Sequence, residues 1–147
     1  MLPRDGSAGF RWRLRVYYED TDAGGIVYYA NFLKFFERCR TEWLRALGFG
    51  QHRLAHDHGL QFVVTSITCD YKQPARLDDE LTVLAQLERA GGASLVFAQA
   101  IWRDDSLLAQ GRVKVACVDT RRLAPTALPG ALLDALKRSP AAAAPAR

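Results

Sequence analysis

Residues 16–49 read VYYEDTDAGGIVYYANFLKFFERCRTEWLRALGF. The second half of this stretch decides the architecture. Phe32, Phe36, Cys39, Trp43 and Leu47 recur at steps of four, three, four and four residues, the spacing of a helix with one apolar face. Lys34, Arg38, Thr41, Glu42 and Arg45 fall on the opposite face, and Gly48 is placed to end the helix. At the usual rise this is a helix of about five turns. Its stripe is wide and aromatic enough to be the main body packed against a sheet.

Outward from the helix, both flanks read as strands. From Arg11 the chain alternates, with Trp12, Leu14 and Val16 on one side and Arg11, Arg13 and Arg15 on the other, the period of a half-buried strand with its arginines in solvent. No aromatic residues interleave with the arginines on that face, which argues against a nucleic-acid contact. On the other flank, Gln51 to His58 has room for one or two helical turns before Gly59. Four β-rich runs follow: QFVVTSITCDYK (61–72), ELTVLAQLERA (80–90), SLVFAQAIWR (94–103) and LLAQGRVKVACVD (107–119). They are separated by QPARLDD, by Gly91-Gly92 and by Arg103-Asp104-Asp105-Ser106, and short connections favour antiparallel neighbours. The expected fold is α+β, an antiparallel five-stranded sheet wrapped around one long central helix. No internal repeat is visible. Residues 1–10 read as a flexible N-terminus and 11–138 as a single domain. The low-complexity end SPAAAAPAR (139–147), after a short helix in ALLDALKR, reads as a disordered tail.

Composition agrees with one folded domain. The chain has 147 residues, 49% apolar and 24% charged, enough to bury a core without disulfides or metals. Cys39, Cys69 and Cys117 are odd in number and far apart, which argues against a disulfide framework or a paired metal knuckle and suits a reducing compartment. The N-terminus lacks a signal-peptide core and no segment reaches ~18 uninterrupted apolar residues, so export and membrane insertion are not expected. A net charge of +4 and a pI near 9.2 admit an anionic partner: nucleic acid, an acidic protein or a phosphorylated small molecule.

The first half of the opening stretch carries the chemistry. It joins strand to helix, a junction with unpaired backbone N–H groups and the positive end of the helix dipole. Gly24 and Gly25 lack a Cβ, so they allow a tight turn and let a ligand approach the main chain. Asp22 stands just ahead of them. A carboxylate beside N–H groups that polarise a carbonyl oxygen is the pairing that acyl transfer uses. The plainer use of Asp20 or Asp22 is as a cap on the first helical turn.

The stretch 16–49 resembles the signature of the Tol-Pal-associated acyl-CoA thioesterases, relatives of the 4-hydroxybenzoyl-CoA thioesterases. FVVTSITCDYKQPARLDDELTV, SLVFAQAIW and KVACVDTRRLAPTALP resemble the same family in the same order, so the likeness covers residues 11 to 130. The resemblance implies the hotdog fold and a cytoplasmic enzyme that hydrolyses short-chain, medium-chain or aromatic acyl-CoA, or acyl carrier protein thioesters. It assigns the catalytic carboxylate to Asp22 and leaves Asp20 as a structural neighbour. The carbonyl oxygen is to be held by the backbone N–H groups of Tyr28 and Tyr29, with Gly24, Gly25, Ile26 and Val27 forming the substrate-binding turn. No metal or cofactor is implied beyond the CoA of the substrate. A homo-oligomer is implied, commonly a tetramer of paired dimers with sites at the dimer interface. One position departs from the pattern. Many members of the Tol-Pal-associated group carry His where this chain has Tyr29, whereas the hydroxybenzoyl relatives carry Tyr.

Other residues offer rival chemistry. His52 and His56 share a helical face, but the run reads HRLAH and lacks the Glu of a metallohydrolase HExxH motif. All three histidines fall within residues 52–58, whereas hotdog dehydratases are recognised by a histidine at the active turn. Arg89, Arg121 and Arg122 suit the phosphates of CoA or plain solvation. Glu37 suits an ion pair with Arg38 or Arg40. Phe62, Val63 and Val64 read as sheet core. Two rival functions remain, a non-catalytic module that binds acyl groups or acyl carrier protein and a nucleic-acid-binding protein.

Overall fold

Apolar and polar residues alternate cleanly in the first strand, the middle strands carry longer apolar runs, and all five assemble into one sheet with the long helix packed against it. The computed structural model describes Leu2 and residues 9–143, with side chains described through residue 138. The strands are β1 (Phe10–Arg15), β2 (Leu60–Tyr71), β3 (Glu80–Gly91), β4 (Ser94–Arg103) and β5 (Ser106–Asp119), with helices α1 (Ala30–Ala46), α2 (Gln51–His58) and α3 (Gly130–Ala143). The sheet is five-stranded and antiparallel, in the order β1-β3-β4-β5-β2.

Against this sheet α1 buries Phe32, Phe35, Phe36, Cys39, Trp43 and Leu44. The Trp43 ring stacks on Phe10 at 6.1 Å and meets Phe97 edge-on at 5.9 Å, so the helix is fixed to both β1 and β4. Burying side chains of this size stabilises by roughly 1.5–3 kcal/mol each. Arg40 is also buried, which the helical stripe does not announce. Its Nη1 donates to Gln99 Oε1 at 2.9 Å, and Gln99 Nε2 donates to the Phe36 carbonyl at 3.0 Å, so a buried polar bridge joins β4 to the helix backbone. Among the described contacts Glu37 makes no close ion pair with Arg38 or Arg40, although its charge acts on the Arg40 guanidinium. The Glu37 carboxylate accepts from the Thr41 hydroxyl one turn on.

Two expectations need correction. QPARLDD is not a hairpin turn, because β2 pairs with β5 at the far edge while β3 pairs with β1 and β4. Val63 and Val64 are not core. They stand 39% and 43% exposed on the edge strand, beside Ile67 and Tyr71. The opposite edge, β1, is guarded by charge, with Arg13 paired to Glu80 and Arg15 donating to the Asp78 carbonyl.

Gly59 closes α2 at φ +65°, a left-handed value that glycine adopts without a Cβ clash. The backbone of α3 continues to Ala143, past the point where the tail was expected to begin. Residues 144–147 of that tail, and residues 1 and 3–8 of the N-terminal segment, lie outside the described residues.

Candidate active site

Asp22 lies in the tight connection between β1 and α1. A 3-10 turn at Tyr18–Asp20 follows β1, and the chain then folds back so that Thr21 bridges Val27. The Asp22 N–H donates to the Ile26 carbonyl at 2.8 Å and the Gly25 N–H donates to the Asp22 carbonyl at 3.0 Å. Gly25 sits at φ +82°, where a side chain would be strained. The turn is pinned to the β2–β3 connection through a bridge of Ile26 to Arg76 and a bond from the Val27 N–H to the Ala75 carbonyl at 2.8 Å.

The two acids in the turn serve different ends. Asp20 is buried, and its Oδ2 accepts the Tyr17 N–H at 2.8 Å. Its main-chain carbonyl accepts both the Tyr28 N–H at 3.0 Å and Asn31 Nδ2 at 2.8 Å. Asp22 is exposed, with Oδ1 accepting the Gly24 N–H at 2.8 Å. Neither carboxylate caps α1, and Tyr29 at the N-cap position makes no side-chain capping bond. The helix mouth is therefore left open by all three groups that could have closed it.

Which N–H groups stay open follows from the remaining bonds. The Asn31 N–H donates to the Tyr28 carbonyl at 2.8 Å and the Phe32 N–H to the Tyr29 carbonyl at 3.1 Å. The Tyr28 N–H is taken up by Asp20, so it has no hydrogen to offer a ligand. Among the described residues the Tyr29 and Ala30 N–H groups have no acceptor. Of the two donors expected from the sequence, the one on Tyr29 remains, and its new neighbour is Ala30.

Beside this mouth lies a cleft of about 270 Å³ lined by Ile26, Val27, Tyr29, Phe32, Tyr71 and Pro74. Gly24 and Gly25 form the tip of the turn rather than the cleft wall. A Cβ on Gly24 would stand 3.3 Å from Asp22 Oδ1, so glycine there lets the carboxylate keep its position. Tyr71 was not evident from the sequence, where it reads only as a strand residue. It packs flat on Phe32 at 5.6 Å, meets the Tyr29 ring edge-on at 5.8 Å, and its hydroxyl donates to the Tyr29 carbonyl at 3.2 Å. Only the tertiary path of β2 brings residue 71 to residue 29.

The other candidates lie apart from the turn. His52 and His56 stack at 6.0 Å on the exposed face of α2, and no group of three or more potential metal ligands occurs among the described residues. Arg89, Arg121 and Arg122 are exposed, and the backbone N–H groups of Arg121 and Arg122 donate to Asp119 Oδ1. Those bonds hold the Asp119 carboxyl below its usual range. Burial pushes the Cys39 thiol far above its ordinary value, which makes it inert filling of the core.

Comparison with known proteins agrees with this geometry. The family model described as the thioesterase superfamily matches residues 24–110. The acyl-CoA thioesterase YbgC of Haemophilus influenzae is 48% identical over 82% of this chain and 89% of its own length. The acyl-CoA thioester hydrolase YbgC of Escherichia coli is 45% identical over 88% of this chain and 96% of its own. A probable thioesterase from Bartonella henselae superposes with a TM-score of 0.77 at 36% identity, covering 81% of this chain and 98% of that one. An antiparallel sheet wrapped on an uncapped helix, a glycine turn carrying one exposed carboxylate and these likenesses agree: the chain belongs to the thioesterase superfamily.

Proposed function

We propose that this chain is an acyl-CoA thioesterase that cleaves the thioester with Asp22 at the mouth of α1. The observation that supports it best is the pair of open N–H groups on Tyr29 and Ala30, at an uncapped helix terminus, beside the turn that carries Asp22. The relatives named for acyl-CoA thioester hydrolysis point to the same chemistry. Sulfur donates weakly to a carbonyl and leaves its carbon electrophilic, so one carboxylate and two aligned donors are sufficient machinery. The acyl oxygen accepts from the N–H groups as charge develops on it. Asp22 then either takes a proton from attacking water or itself attacks to form a mixed anhydride that water opens. In both routes the C–S bond breaks, CoA leaves as the thiolate, and the acyl group leaves as the acid. Neither route uses a metal or a redox group.

The size of the recesses favours short, medium or aromatic acyl groups. Besides the cleft at the mouth, a recess of about 190 Å³ lies between α1 and the sheet, walled on one side by Leu44, Phe62, Leu95 and Phe97 and on the other by Glu37, Arg40, Thr41 and Gln51.

The working unit in this reading is a homo-oligomer built through β2. That edge carries exposed Val63, Val64, Ile67 and Tyr71 and none of the paired arginines that guard β1. Antiparallel pairing of two β2 strands about their midpoint sets the Tyr71 end of one against the Leu60 end of the other. The cleft of one protomer then meets the Phe62-lined cavity of its partner. We place the enzyme in the cytoplasm, where Cys39, Cys69 and Cys117, all unpaired, remain reduced. No helix among the described residues is long and apolar enough to cross a membrane.

The test is release of free thiol from a panel of acyl-CoAs of rising chain length, with benzoyl-CoA and acyl carrier protein thioesters alongside. Turnover on short, medium or aromatic members is expected. Binding of acyl-CoA without thiol release from any of them would favour the non-catalytic module instead.

A further inference from the structure

We propose that Tyr71 is a positioning residue for the carbonyl-oxygen site, acting through the peptide that joins Tyr29 to Ala30. This inference rests on the thioesterase reading above and assigns a role to a residue outside the catalytic turn.

The peptide in question carries one of the two open donors. Its N–H is that of Ala30, which has no acceptor among the described residues, and its carbonyl is that of Tyr29. That carbonyl receives two hydrogens, from the Phe32 N–H at 3.1 Å and from the Tyr71 hydroxyl at 3.2 Å. A donor on the carbonyl oxygen of an amide draws density from nitrogen and makes the N–H of the same amide a better donor. The second effect is geometric. Tyr29 occupies the N-cap position without a capping side chain, and a terminal peptide held by one i→i+3 bond is free to fray. The hydroxyl of Tyr71, anchored on the edge of the sheet, fixes that peptide from the outside.

The Tyr71 ring is itself held in place. It lies on Phe32, in the first turn of α1, and against the Tyr29 ring. Partial burial, then the charge of Cys69 and a hydrogen bond between its sulfur and the Tyr71 hydroxyl, push that hydroxyl up to about 12. The donor therefore keeps its proton throughout the range in which a thioesterase works. The Tyr28–Tyr29 peptide has no such arrangement, since its carbonyl accepts only the Asn31 N–H among the described bonds. The two open N–H groups are thus unequal, and the Ala30 donor is the one that depends on a distant side chain.

Tyr71→Phe removes the hydroxyl and keeps the ring contacts. The expected result is a fall in kcat of about tenfold, the equivalent of one net hydrogen bond of about 1.4 kcal/mol, with KM within about twofold of wild type. A purely structural role for Tyr71 would move the melting temperature and KM instead. A second readout is independent of turnover. In the Asp22→Asn background, the carbonyl stretch of a bound 13C-labelled acyl-CoA reports how strongly the donors pull on the oxygen. It is expected at higher frequency when Tyr71→Phe is added. Should Tyr71→Phe lower the melting temperature, this comparison below both transitions decides. If wild type turns over and Tyr71→Phe matches its kcat, or the band does not shift, this inference alone is overturned. If wild type releases no thiol from any acyl-CoA, the catalytic reading falls and this one with it.

Discussion

The side-chain amide of Asn31 donates to the main-chain carbonyl of Asp20 across 2.8 Å, tying the first turn of α1 to the turn that carries Asp22. The Tyr28 N–H reaches the same oxygen, so that carbonyl keeps one partner when the other is removed. Asn31→Ala is therefore expected to destabilise by about 1 kcal/mol, the net value of one hydrogen bond, while lowering kcat by loosening the turn. Urea unfolding read beside turnover at saturating acyl-CoA checks both halves.

The buried bridge from Arg40 to Gln99 predicts a non-additive pair. Gln99→Leu leaves the Arg40 guanidinium buried without its acceptor and is expected to cost about 3 kcal/mol. Adding Arg40→Met removes the stranded charge and is expected to restore more than half of that loss, since an ion and its partner are better replaced together than singly. Midpoints of chemical denaturation for the two single variants and the double variant give the coupling directly.

At the open edge, Ile67→Lys places a charge among the exposed apolar side chains of β2. If β2 is the face through which copies of this chain associate, the variant is expected to move from oligomer toward monomer in light scattering at micromolar concentration, with turnover falling in parallel. An equivalent charge on β1, already lined by Arg13 and Arg15, is expected to leave the assembly unchanged.

Two glycines separate fold from chemistry. A Cβ on Gly111 would lie 2.1 Å from the Thr68 carbonyl oxygen, a backbone atom that cannot rotate aside, so Gly111→Ala is expected to break the β2–β5 pairing and yield unfolded or aggregated protein. A Cβ on Gly24 would meet only the Asp22 carboxylate, at 3.3 Å. Gly24→Ala is expected to fold normally and lose turnover as Asp22 shifts. Circular dichroism and thiol release on the two variants distinguish these outcomes.

The extent to which the chain announces its own structure follows from the range of each signal. Helical spacing places α1 within two residues of its observed ends, and the β-rich runs between turn residues place β3, β4 and β5 within one residue of theirs, because these patterns are local. The position of β2 beside β5 is not local, and a short connection such as QPARLDD reads the same whether it closes a hairpin or crosses the sheet. Val63 and Val64 look like core for a related reason: a run of apolar β-branched residues reads the same in the sequence whether it fills an interior or stands on an open edge. At the site, Asp22 and the glycines stand out from the turn and from the family likeness. Tyr71 does not, since nothing near it in the chain points to Tyr29. The Tyr28 N–H looks as open as that of Tyr29 until the fold-back at Thr21 and Val27 brings the Asp20 carbonyl against it.

The most direct test of the central claim is turnover by Asp22→Asn. The amide oxygen still accepts the Gly24 N–H and the position is exposed, so the melting temperature should stay at the wild-type value. Thiol release from the best acyl-CoA should fall by about 10²–10⁴-fold, the range expected on removing a group that moves a proton at the reacting centre. A folded Asp22→Asn protein that keeps turnover within about twofold of wild type would contradict the assignment of Asp22 as the carboxylate that cleaves the thioester.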